Sequence, residues 1–137
     1  MVVLQSGLPE QIDDEEDLAR FLTQRSQFNS KMAKPAAFLP NPQDHETSAS
    51  RHGPAPITEL WSIGLLAAGE RSLYGAAVFT ARTVRSAELQ VIADEPPPRH
   101  AAIRGWPWIA ADPELQKAKQ KELAALLASA AGPPLLR

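Results

Sequence analysis

The chain contains no cysteine, which removes disulfide scaffolds, thiol nucleophiles and cysteine-ligated zinc together and suits a reducing compartment. It has no apolar run near the roughly eighteen residues that a membrane-spanning helix requires. No charge sign dominates: 14 Lys and Arg face 16 Asp and Glu, for a net charge of −2. The broad positive field behind non-specific nucleic-acid binding is therefore missing. The opening Met1-Val2-Val3-Leu4 is too short for the apolar core of a signal peptide, has no basic residue before it, and soon meets Asp13 to Asp17. A cytoplasmic location without membrane attachment is the expectation. With 137 residues, 44% of them hydrophobic, the chain can supply one core but not two, so a single domain over 1–137 is expected.

Within that domain the pattern suggests an N-terminal arm over 1–12, then a helix from about Asp14 to Gln27 with Leu18, Phe21, Leu22 and Phe28 on one face. The acid run before it reads as a solvated helix start, where carboxylates meet the positive end of the helix dipole. Residues 29–56 carry Pro35, Pro40, Pro42, Pro54 and Pro56 and read as a long loop. Ala36 to Leu39 is a candidate edge strand or anchor there, and Glu46 to Arg51 a candidate short strand. Ile57 to Ala68 is predicted as a central helix, ended by Gly69 in the left-handed region. Ser72 to Arg85 fits helical spacing better than it fits a strand, and Leu89 to Ile92 reads as a strand stopped by Pro96-Pro97-Pro98. A C-terminal helix over 112–131 has the clearest start, with Asp112 as cap and Pro113 at the first position. Its expected buried face is Leu115, Leu123, Leu126, Leu127 and Ala130, with the stem of Lys119 along the core edge. The fold class is then α+β: three to four helices on a short β-sheet, with long proline-rich loops.

Two polar groupings draw attention. One is Asp44-His45-Glu46 with Ser50-Arg51-His52-Gly53; the other is Arg99-His100 through Arg104 to Trp106 and Trp108. Histidine titrates near neutral pH and arginine binds anions, so His100, Arg51 and His52 are candidate catalytic residues for phosphate or nucleotide chemistry. The ordinary alternative is that isolated surface histidines are hydrogen-bonded loop residues. A metal site would draw on His45, His52, His100, Asp44, Glu46 or Asp94. No two histidines have a tight or helical spacing, so neither a metal nor another cofactor is expected. Arg99, Arg104, Trp106 and Trp108 could stack on bases and pair with phosphates, or serve equally as anchors in a protein interface. Of the two tryptophans, Trp106 is expected in the core and Trp108 nearer the surface.

Arg51-His52-Gly53 resembles, over three residues, the Arg-His-Gly motif of histidine phosphatases, in which the His accepts the phosphoryl group. That motif follows an apolar strand, whereas Glu46 to Ser50 precedes it here. A wider resemblance rests on Arg25-Ser26 with Phe28, on Lys34 to Pro42, on Glu46-Thr47-Ser48 with Arg51, on Glu59-Leu60-Trp61, and on Arg99-His100-Ala101 with Gly105-Trp106-Pro107. This ordered set resembles a family of small uncharacterised bacterial proteins associated with defence or mobile-element gene neighbourhoods. The resemblance implies a bacterial origin, supplies no activity to carry over, and directs tests to Arg51 and His100. The leading expectation is a non-enzymatic accessory module of a multi-protein system that docks a protein partner. A small enzyme on a phosphate-containing substrate comes next, and nucleic-acid binding last.

Overall fold

Leu18 and Leu22 alternate with Ala19 and Phe21, so a strand can bury apolar residues on both faces at once, and the chain takes that solution. The computed structural model describes residues 2–53 and 55–137. Met1 and Pro54, which belong to the expected arm and proline-rich loop, lie outside them. In chain order the strands and helices are β1 (Asp17–Leu22), β2 (Thr47–Arg51), α1 (Ile57–Ala68), β3 (Gly75–Thr80), α2 (Ala81–Ser86), β4 (Gln90–Ala93), β5 (His100–Arg104), α3 (Pro113–Ala131) and β6 (Leu135–Leu136). The strands form one antiparallel sheet in the order β4-β5-β2-β1-β3-β6. The fold is α+β, with three helices on a six-stranded sheet.

Cross-strand pairing sorts the side chains onto two faces. On the first, Leu18, Phe79, Ala49, Ile103 and Val91 meet Leu127, Ala124 and Ala128 of α3 in the main core. Phe38 closes that core and meets Phe79 edge-on at 5.4 Å. On the second, Ala19 and Ala76 pack under Leu60 of α1, with Phe21 and Trp61 beside them. Gly64 permits this close approach, since a Cβ there would lie 2.7 Å from Phe21 Cε1.

Several expectations give way to this arrangement. The helix expected over Asp14 to Gln27 is β1 followed by a short 3-10 turn at Arg25–Gln27. Its acid run is no helix start: Asp14 pairs with Arg85, Glu15 with Arg82 and Glu16 with Arg51. Ser72 to Arg85 is not one helix, because β3 occupies its middle and Thr80 caps α2 through the Thr83 amide. The 29–56 segment is not loop throughout: the candidate strand over Glu46 to Arg51 is present as the interior β2, and Ala36 to Leu39 takes the anchor alternative, with Ala37 and Phe38 fully buried at the turn Pro35–Ala37. The 99–108 stretch begins with the interior strand β5. Helix α1 starts and stops where the pattern placed it, with the Gly69 amide bonded to the Leu65 carbonyl. It is nonetheless peripheral, and Leu66 is 84% exposed. Helix α3 is capped by Asp112 as expected, but its buried face turns through Leu123, Ala124, Leu127 and Ala128 and leaves Leu115 and Leu126 exposed. Lys119 is exposed as well. Among the described residues no helix is long and apolar enough to cross a membrane.

Candidate functional site

Helix α1 packs on the β1 and β3 part of the second face, and beside it Ser48, Ser50 and His100 of β2 and β5 line a cleft. Pairing of Ser50 with His100 and of Ser48 with Ala102 puts a polar row on its floor. The β1–β2 ladder is short: only Leu18 with Arg51 and Ala19 with Ser50 are in register, whereas β1 pairs with β3 along its whole length. The strands part after Ala19, and the cleft, of about 620 Å³, opens there. Its lining includes Ile63 and Ala67 of α1, Pro97 and Pro98, and the carboxylates Asp44 and Glu46.

Arg20 starts from the first face, between Leu18 and Leu22 and opposite Ala77, and its side chain reaches the lining of this gap. Its Nε donates to the Ala37 carbonyl at 2.7 Å and its Nη1 to the Ser48 carbonyl at 3.0 Å. These carbonyls lie beside the parted strands, so the guanidinium supplies donors there. Arg71, just past the end of α1, donates from Nε to the Ala68 carbonyl at 3.1 Å and from Nη2 to the Ala67 carbonyl at 3.0 Å. Both arginines line the cleft, and among the described residues neither forms an ion pair with a carboxylate. Removal from water and the nearby Arg71 charge lower the Arg20 pKa to about 10. A third group completes the site: Ser50 is 4% exposed and lines the cleft, and its hydroxyl has no hydrogen-bond partner. A buried hydroxyl without a partner is costly unless something else supplies one.

His100 also lines the cleft. Its Nδ1 lies 2.9 Å from the Asp94 carbonyl and 3.3 Å from that residue's carboxylate. The carbonyl can only accept, so Nδ1 carries the hydrogen and Nε2 is the free nitrogen. Nearby, Glu95 positions the proline corner by accepting from the Ser6 amide and hydroxyl and from the Arg99 amide. Burial opposes ionisation of Glu95, but the Ser6 hydrogen bonds, the Arg99 amide and the Arg51 charge outweigh it and lower its pKa.

The other singled-out residues are dispersed. Arg51 is fully buried on the opposite face from His100; it grips Glu16 through Nε at 2.5 Å and Nη2 at 2.7 Å, and donates from Nη1 to the Pro9 carbonyl at 2.6 Å. His52 is half-buried beside β2, and its Nδ1 has no partner. Arg99 pairs with Glu59 of α1 and ties down the Arg51 and His52 carbonyls. Arg104 pairs with Glu46. Trp106 is in the main core at 6% exposure, while Trp108 is 50% exposed and stacks on His45 with ring centroids 3.6 Å apart. The Arg99 to Trp108 stretch is therefore not one surface, since both its arginines meet carboxylates and one indole is buried. Among the described residues no three of the metal-ligating side chains gather closely enough to hold an ion.

Sequence reasoning singled out His100 and included Ser50 in a polar grouping, but missed Arg20 and Arg71. A lone Arg within an apolar stripe was the one available signal for Arg20. Comparison with protein-family models, with curated proteins and with solved structures finds no match to the chain.

Proposed function

We propose that this chain is a binding module that recognises a small anionic ligand in the cleft between α1 and the proline corner. One observation carries the reading: two guanidinium groups without carboxylate partners, Arg20 and Arg71, share a cleft with a buried hydroxyl that lacks a hydrogen-bond partner. Guanidinium groups that have been partly dehydrated and left without a counter-ion gain most from an anion delivered by a ligand. An accessory role in a bacterial multi-protein system is in keeping with the resemblance noted above. The test is thermal unfolding in citrate, phosphate and sulfate against chloride at matched ionic strength. The native chain is expected to gain stability from at least one polyvalent anion, and Arg71→Gln to lose that gain. Equal stabilisation of both proteins would mean the anions act on the surface at large.

The half-exposed Trp108 stacked on His45 favours a second reading, docking of a protein partner through the 105–111 loop. That reading expects Trp108→Ala to lose a co-purifying partner that Arg71→Gln retains. The reverse pattern would move the docking surface to the cleft.

A further inference from the structure

We infer that the ligand of this cleft is the phosphoryl group of a small phosphate monoester, bound by hydrogen bonds from Arg20, Arg71 and Ser50. The inference rests on the anion-binding reading above and narrows its chemistry. Arginine recognises a planar carboxylate best through two parallel N–H donors, commonly a fork that includes Nε. In both arginines Nε is already engaged by a backbone carbonyl, Ala37 for Arg20 and Ala68 for Arg71. What remains without a partner is both N–H of Nη2 and one of Nη1 on Arg20, and both N–H of Nη1 and one of Nη2 on Arg71. The Ser50 hydroxyl adds a third donor group from β2. With the fork that includes Nε closed, donors from three separate segments need not share one plane, as the two oxygens of a carboxylate do. They match a tetrahedral group with three terminal oxygens, each taking one hydrogen bond.

Charge points the same way. Two cations without carboxylate partners call for two negative charges, and a phosphate monoester carries about −1.5 to −2 near neutral pH, whereas a carboxylate carries one. Size then separates an ester from the free ion. A phosphoryl group fills only a small part of about 620 Å³, and the remainder includes the apolar side chains of Phe21, Ile63, Leu39, Pro97 and Pro98 among polar ones such as Gln24 and Asn41. The apolar side chains offer a surface to the organic part of an ester and nothing to inorganic phosphate.

The test is calorimetric titration of the full chain at low ionic strength with phenyl phosphate, inorganic phosphate and benzoate. Phenyl phosphate is expected to bind at least about tenfold more tightly than benzoate, and more tightly than inorganic phosphate. Arg71→Gln and Ser50→Ala should each weaken phenyl phosphate by about fivefold or more with an unchanged circular dichroism spectrum; Arg71 is exposed, so its replacement leaves the core intact. Benzoate binding as tightly as phenyl phosphate would overturn the phosphoryl assignment and leave the anion cleft standing. Inorganic phosphate binding as tightly as the ester would overturn the ester. Failure of all three to bind would overturn both readings.

Discussion

Adjacent interior strands each bring an arginine inside, and the two are treated in opposite ways. Arg51 on β2 is fully buried and meets both oxygens of the Glu16 carboxylate. Arg20 on β1 meets only the carbonyls of Ala37 and Ser48. In the first region a cation taken from water is neutralised by the chain and fastens the N-terminal arm, through Pro9 and Glu16, to the sheet. In the second the chain supplies partial negative charge but no counter-ion. A closed pair of this kind is architecture, whereas an open one beside a cleft is capacity for a ligand.

The sharpest way to break the comparison is to give Arg51 the situation of Arg20. Glu16→Gln keeps an acceptor of similar shape and removes the countercharge from a guanidinium that water cannot reach. Breaking a buried pair from one side costs about 3 kcal/mol, so urea unfolding should show a loss near that size. A loss below about 1 kcal/mol would mean the carbonyl of Pro9 alone suffices for Arg51, and the contrast with Arg20 would vanish.

A smaller effect is expected where the cleft depends on close packing. At Gly64 of α1 an added methyl would lie 2.7 Å from Phe21 Cε1 and 2.8 Å from Leu73 Cδ2. Overpacking of this kind costs about 1–3 kcal/mol, so Gly64→Ala should lose about 2 kcal/mol of unfolding free energy. Because α1 is also the wall that leads to Arg71, the same change should weaken anion binding. Lost stability with unaltered anion affinity would show that the cleft does not depend on the seating of α1.

How far the sequence revealed these regions depends on whether an element has one solvent face. Helix α3 was legible from Asp112 and Pro113, and α1 from its apolar stripe and Gly69, because capping chemistry is local. Strand β1 was not: with both faces covered, Leu18, Ala19, Phe21 and Leu22 are all apolar, and that near-continuous run fits a helix as easily as a two-sided strand. The adjacent Ala101, Ala102 and Ile103 hid β5 in the same manner. The acid run misled because its partners are remote, Arg51 lying 35 positions beyond Glu16 and Arg85 71 positions beyond Asp14. His100 could be singled out by residue type alone. Arg20 could not, since its role comes from a gap that exists only once β1 and β2 have paired at two positions and parted.

The smallest effect addresses Arg20 itself. Its pKa is lowered to about 10 in the folded chain, below that of a free guanidinium, so above about pH 10 the folded state releases this proton while the unfolded state still holds it. Stability rises with pH wherever the unfolded state binds more protons. The contribution of Arg20 should therefore be flat from pH 7 to 9 and become more favourable from pH 10 upward. Lysine and tyrosine titrations overlap this window, but they cancel in the difference between the native chain and Arg20→Gln. Urea unfolding of both proteins from pH 8 to 11.5 should show that difference growing in favour of the native chain by on the order of 1 kcal/mol. Bound phenyl phosphate should flatten the rise, because an anion in the cleft restores the preference for the charged guanidinium. A difference that stays level or falls with pH in the free protein would mean that Arg20 already has its countercharge, and the two arginines would then differ only in burial.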